Sequence, residues 1–403
     1  MRDVSTSAKR WICALACLCI ATVPFAVQAQ SADVDADIDA IFRSCKTVGG
    51  AVLVARHGEL VYERYYGLAD IERRKPVTQD TYFRAASVTK FVSGIGVMIL
   101  VEQGLLELDA DIGDALGMPV RNPRFRNRPV TLRQLMTHTA GVYDHNGFTK
   151  ANATLRSLLV RNPRSNFTDR RPGSAYAYSN FGAGIVGALM EAATGQSVNA
   201  FMAEQVFVPM GIEAAYSASL LSSPEGVVST YKGERVTRLA KDALKERYDD
   251  TCNPDAHIRT TVGRLWIRPR DLLKLVCLVG EGGELNGVRL LKPETVVRMI
   301  EPQSGMGSVA GDTPYGLFTI RLEGVLPGVT LYGHQGNTSG FVCNAYFDPE
   351  TGYAFVLMTN GTDQRGDGKI NNLARRLITY TYPMAMGEVR AKVEETSPYS
   401  YED

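Results

Sequence analysis

Two β-hairpin signatures sit at opposite ends of this 403-residue chain, and most of the sequence between them reads as helices. Near the start, Ala51 to Ala55 and Leu60 to Tyr66 are rich in β-branched and aromatic residues and flank the turn Arg56-His57-Gly58-Glu59. Near the end, Phe341 to Phe347 and Tyr353 to Thr359 flank Asp348-Pro349-Glu350-Thr351-Gly352. Strand-forming runs bounded by turn residues in this way are hairpin signals. Helical spacing of apolar residues marks Val34 to Cys45, Val88 to Gln103, Leu132 to Met136, Phe181 to Ala193, Val198 to Glu204, Pro269 to Val279 and Ile370 to Tyr380. A lone hairpin is marginal in water, so two of them enclosing a helical middle are expected to share one sheet. The expected fold class is α/β in the α+β sense. An antiparallel sheet is built from both chain ends and flanked by helices, with a mostly helical domain inserted. The sheet lobe takes about 34–85 and 290–382, and the helical lobe lies between them.

The termini carry other signals. Arg2, Lys9 and Arg10 precede an apolar stretch from Trp11 to Phe25, and Val27-Gln28-Ala29 supplies small residues for cleavage. This is the pattern of a secretory signal peptide over 1–29, and its apolar run falls short of the ~20 residues that span a bilayer. The expected product is one domain over 30–386 with a polar tail at 387–403, secreted into a bacterial periplasm. No later run reaches the roughly 18 apolar residues of a spanning helix, so no membrane span is expected after signal removal. Of seven cysteines, Cys45, Cys252, Cys277 and Cys343 lie beyond the signal, and their pairing stays open. A formal net charge of +1 leaves no basic footprint for nucleic acid.

Three short motifs carry chemistry. Ser87-Val88-Thr89-Lys90 opens the most apolar helix of the chain, and the three-residue step puts Ser87 and Lys90 on one face. Burial disfavours the charged form of a lysine, and a neutral amine can take a serine proton. Tyr178-Ser179-Asn180 follows 91 residues later, before a helix of small residues. A phenol beside the serine can relay a proton, and an asparagine can both donate to and accept from a bound amide. His334-Gln335-Gly336 ends a strand-like segment, where glycine lets another backbone approach. Singly, each motif also reads as a helix cap, a buried tyrosine or a structural histidine. Together and in this order they are far more specific.

With these motifs the sequence resembles the serine β-lactamase-related hydrolases: class C β-lactamases, D-Ala-D-Ala carboxypeptidases, D-amino-acid peptidases and esterases of β-lactamase/transpeptidase-like fold. Phe83-Arg84-Ala85-Ala86, Leu135 to Gly141, Gly283 to Gly287 and Asp348 to Gly352 add to the resemblance. It implies Ser87 as nucleophile, Lys90 as its activator, Tyr178 as proton relay and Asn180 as a substrate contact. It further implies an oxyanion hole from the backbone N–H groups of Ser87 and Asn337, beside Gly336, and no metal or other cofactor. Where many relatives carry Lys-Thr-Gly, this chain has His334-Gln335-Gly336, so a fixed cation for a substrate carboxylate is missing and His334 is expected to orient substrate instead. His138, Asp144 and His145 offer a competing metal reading. The expected activity is cleavage of an ester, amide or peptide bond through an acyl-serine, of carboxypeptidase, D-peptidase or esterase type. A β-lactamase is the alternative, and a penicillin-binding or sensing module that acylates without turnover is the alternative of another class. The expected partner is a small-molecule or peptide substrate, with the cell envelope as a candidate source; oligomeric state is open.

Overall fold

The computed structural model describes residues 23–150, 152–303, 315–338, 340–363 and 365–388. Residues 1–22 of the expected signal and the tail from 389 onward lie outside the described residues. In chain order the main elements are helix α1 (Val23–Ser44), strands β1 (Gly49–Arg56), β2 (Glu59–Asp70) and β3 (Lys75–Pro76), and helices α2 (Val88–Glu102), α3 (Asn180–Thr194) and α4 (Pro269–Gly280). Strands β4 (Ile320–Glu323), β5 (Thr330–Thr338), β6 (Phe341–Asp348) and β7 (Tyr353–Gly361) follow, and helix α5 (Asn372–Ala385) ends the fold.

The seven strands make one antiparallel sheet in the order β4-β5-β6-β7-β1-β2-β3. The two hairpins meet through β1 and β7, with Val52 opposite Leu357 and Val54 opposite Phe355. Side chains alternate faces along a strand, so each strand feeds two cores. Val52, Val54, Phe355 and Leu357 pack with Ile38 and Phe42 of α1 and Leu373 and Leu377 of α5. Ala51, Leu53, Val356 and Met358 face the other way, toward Phe91 of α2 and Leu272 and Val276 of α4. Polar contacts fix α1 over its layer: the Tyr62 hydroxyl donates to Asp35 at 2.7 Å, Arg64 forks onto Asp39 at 2.9 and 2.7 Å, and the Tyr380 hydroxyl donates to Asp37 at 2.6 Å.

Several boundaries differ from expectation for local reasons. The first turn narrows to His57-Gly58, with both residues at positive φ, so β1 and β2 each extend toward it. Val198 to Glu204 divides into an α-helix at Val198–Met202 and a π-turn at Ala203–Phe207. The last helix runs through Pro383 to Ala385. The largest correction concerns the lobes. Helix α4, expected in the helical lobe, lays its apolar stripe on the sheet, because that face of β1, β6 and β7 needs a cover. The sheet lobe therefore resumes near 266, where Trp266–Ile267 pairs with both Phe83–Arg84 and Ala214–Ala215. Strand β4 left no sequence signal because it is four residues long. It pairs with Thr330 to Gly333 alone, so among the described residues the outer edge of β5 from His334 onward has no strand beside it. Cys45, Cys252, Cys277 and Cys343 are all free thiols.

Candidate active site

Strand Phe83–Arg84 enters α2 through a sharp corner. Ala86 takes φ of 47°, a left-handed conformation that costs a residue with a Cβ about 1–2 kcal/mol. Bonds from Ala85 N–H to the Leu265 carbonyl (2.8 Å) and from Leu265 N–H to Thr89 Oγ1 (3.3 Å) hold the corner. Ser87 then stands at the N-cap of α2, with no capping bond from its side chain to the helix, so its hydroxyl is left for other partners.

Those partners come from two directions. The Tyr178 hydroxyl donates to Ser87 Oγ at 3.0 Å and Lys90 Nζ donates to the same oxygen at 3.3 Å. Lys90 is 0% exposed, one of the few fully buried charged side chains, and Nζ also donates to Asn180 Oδ1 (2.9 Å) and to the Val262 carbonyl (2.8 Å). Three donors meet three acceptors, which is what allows an ammonium to be buried. Tyr178, by contrast, is 39% exposed, so solvent and substrate reach the serine from the phenol side.

Asp144 organises this corner. It accepts from Ser179 Oγ (2.7 Å), from the backbone N–H groups of Asn180 (2.9 Å) and Phe181 (2.9 Å), and from Asn180 Nδ2 (3.0 Å). A carboxylate on the first N–H groups of a helix is favoured by the helix dipole as well. Asn180 is thereby fixed with its oxygen on Lys90 and one N–H on Asp144, which leaves one N–H of its amide for a substrate. Asp144 and His138 are thus occupied by intramolecular bonds, and His145 caps a 3-10 turn through Gly147 N–H.

Gly336 brings β5 against Ser87. A Cβ there would lie 2.7 Å from the Ser87 nitrogen and 2.7 Å from the Ala85 carbonyl oxygen. Asn337 follows on the same strand, opposite Val342. His334, two residues earlier, is 1% exposed and turned into a buried chain of hydrogen bonds. Ser179 N–H donates to His138 Nδ1 at 3.2 Å, so the proton of His138 sits on Nε2, which faces the Tyr315 hydroxyl at 3.3 Å. Tyr315 in turn meets His334 Nε2 at 2.8 Å, and His334 Nδ1 meets the Gln335 carbonyl at 2.6 Å. One donor direction satisfies every link, with both histidines neutral. Burial, and secondarily the nearby Lys90 charge, pushes His138 well below its ordinary range and His334 down to about 3. The expectation that His334 orients substrate is corrected here: its nitrogens are already engaged and its ring has no open face.

Ser87, Lys90, Tyr178 and Asn180 thus converge on one point beside the open edge of β5. The family model described as Beta-lactamase matches residues 34–380. The chain belongs to the beta-lactamase family. Its fold is that of the family, whose members include serine hydrolases. The esterase EstB of Burkholderia gladioli is 36% identical over 210 residues, 47% of this chain and 53% of the relative, so the match spans about half of that esterase. Penicillin-binding protein 4 of Amycolatopsis lactamdurans is 25% identical over 89% of this chain and 92% of its own. An octameric penicillin-binding protein homologue from Pyrococcus abyssi superposes with a TM-score of 0.69, covering 89% of this chain and 78% of that one at 21% identity, a likeness of fold alone. Within this member of the beta-lactamase family, sequence reasoning missed Asp144 as an organiser, Tyr315 as the link between two histidines and the Val262 carbonyl as the third acceptor of Lys90. A backbone carbonyl has no sequence signal, and a lone aspartate or tyrosine in a loop has none that separates it from its neighbours.

Proposed function

We propose that the chain is an exported serine hydrolase that cleaves a small ester, amide or peptide through an acyl-Ser87 intermediate. The observation that carries this reading is the double hydrogen bond onto Ser87 Oγ, from buried Lys90 and exposed Tyr178. A serine attacking a carbonyl must release its proton, and among the described residues only these two side chains hydrogen-bond to its oxygen. In this mechanism whichever of the pair is deprotonated takes the proton, and Tyr178, on the open side, hands it to the leaving group. The backbone N–H of Ser87, with that of Asn337 across the Gly336 contact, would hold the tetrahedral oxygen, each such donor contributing about 2.7–4 kcal/mol. Water then attacks the acyl-serine, with the same relay running in reverse.

Esterase or peptidase activity is favoured over β-lactam hydrolysis by the state of the third motif. Where Lys-Thr-Gly would supply a cation, His334 is buried and neutral, so β5 presents no fixed positive charge there. The similarity to EstB over 210 residues points the same way. The test is the intact mass of wild-type protein and Ser87→Ala after exposure to a fluorophosphonate, a penicillin and a short-chain ester, with product release followed in parallel. A Ser87-dependent adduct and turnover of the ester are expected. Reaction of Ser87→Ala at a comparable rate would overturn the assignment, and a stable penicillin adduct without turnover would move the reading to a sensing module.

A further inference from the structure

A second feature lies one peptide away from the catalytic lysine. The Val262 carbonyl accepts from Lys90, and the next carbonyl, that of Gly263, accepts from Arg84 Nε at 2.6 Å. Arg84 stands three residues before Ser87 and lines a cavity of about 300 Å³ with Arg238, Thr230, Trp266, Thr338 and Phe341. Thr338 is the residue after Asn337, so the cavity is flanked by both strands that bring backbone to the nucleophile.

The charges around this cavity do not balance. Among the described residues Arg84 has no carboxylate partner; its hydrogen bond to the Gly263 carbonyl leaves the terminal guanidinium nitrogens uncommitted. Arg238 pairs with Glu246 at 2.7 Å, and Arg264 pairs with the same carboxylate at 2.6 Å. Two guanidiniums thus share one carboxylate, and the third, Arg84, pairs with none among the described residues. Burial, with the repulsion of Arg264 and Arg238 behind it, pushes Arg84 down to about 10. A half-buried cation without a carboxylate partner is costly, and a bound anion removes that cost. Planar guanidiniums suit a carboxylate, which they can hold through paired hydrogen bonds.

We propose that this cavity is a carboxylate-binding subsite, in which Arg84 and Arg238 hold an anionic group of the substrate while its carbonyl lies at Ser87. The substrate class is then an ester or amide bearing a carboxylate, read from the side of residues 84 and 238 and not from the third motif. The identification of the anion as part of a substrate rests on the serine-hydrolase reading; the anion site itself does not.

Two measurements separate these. The chain has two tryptophans, Trp11 and Trp266, and Trp266 lines the cavity. In protein carrying Trp11→Phe, titration with glutarate at constant ionic strength should give a saturable change in Trp266 fluorescence, with or without Ser87→Ala. The dissociation constant should rise tenfold or more in Arg238→Gln, a variant that leaves the Arg84 to Gly263 bond in place. No saturable change, or the same constant in Arg238→Gln, overturns the anion site. For the substrate role, p-nitrophenyl hydrogen glutarate is compared with p-nitrophenyl butyrate. The ratio of their kcat/KM values should fall tenfold or more in Arg238→Gln through KM, and an unchanged ratio overturns that role. If wild type turns over neither ester, the hydrolase reading fails while the fluorescence arm still decides the site.

Discussion

A methyl group has no room at position 336. The nearest atoms to such a Cβ are the Ser87 nitrogen and the Ala85 carbonyl oxygen, both backbone and both in the corner that positions Ser87. Gly336→Ala must therefore push β5 away from Ser87 or shift the strained Ala86 turn. A misplacement of about 1 Å can cost about 10²-fold in rate, so kcat/KM on a short-chain ester is expected to fall by about that factor. Circular dichroism should still show a folded protein, since the neighbouring strand pairings of β5 with β6 do not pass through that methyl. Activity within a few-fold of wild type would contradict the contact. Glycine at this place was legible in the sequence because a strand end rarely needs one without a close neighbour. Ser87 and Lys90 were legible because a three-residue step at the start of an apolar helix fixes their relation. His334 was not, because nothing local tells whether a strand residue faces an open edge or a buried tyrosine.

Helix α3 shows how one side chain serves stability and chemistry together. Asp144 accepts four donors at its start, two of them backbone N–H groups, and Ser179 Oγ relays a further bond from Gly182 N–H at 2.9 Å. Hydrogen bonds to a charged group contribute about 1.5–3 kcal/mol each, and losing one partner leaves the others unsatisfied. Asp144→Ala is expected to lower unfolding free energy by about 3 kcal/mol on that scale. It should also depress kcat, because Asn180 would no longer be held with its oxygen on Lys90. Asp144→Asn restores shape and an acceptor but no charge, so it should recover part of the stability. Denaturant melts and steady-state kinetics of both variants check this, and a wild-type kcat in Asp144→Ala would remove the positioning role. At this scale the two hairpins were legible from composition alone. Strand β4 and the docking of α4 on the sheet were not, since they depend on which surface is left uncovered after the ends have paired.

The whole molecule has its two chain ends joined in the centre of one sheet, and buried histidines tie the lobes around it. The chain through His138, Tyr315 and His334 runs from the start of α3 to β5, linking the helical lobe to the sheet. On the far side of α3, fully buried Glu191 accepts from Asn253 N–H (2.8 Å), Val198 N–H (3.2 Å) and His257 Nδ1 (3.0 Å), anchoring the segment that leads to Val262. These two sets respond to pH in opposite directions. His257 is raised from 6.5, first by its bond to Glu191, so its contribution is complete on the acid side and lost as pH rises through its folded value. His334 and His138 are lowered, so the unfolded chain binds protons below pH 6.5 that the folded one refuses, and stability is lost as pH falls from 6.5 toward about 3. Between pH 7 and pH 5 His334 should cost about 2 kcal/mol, and His138 acts in the same direction. Two lowered histidines outweigh one raised and partly exposed partner, so net stability should fall on acidification. Urea unfolding measured at several pH values between 7 and 5 should show this slope, and His334→Gln should flatten it. A stability that holds or rises over that range, or a variant with the wild-type slope, would show that the histidine chain is not neutral in the folded protein.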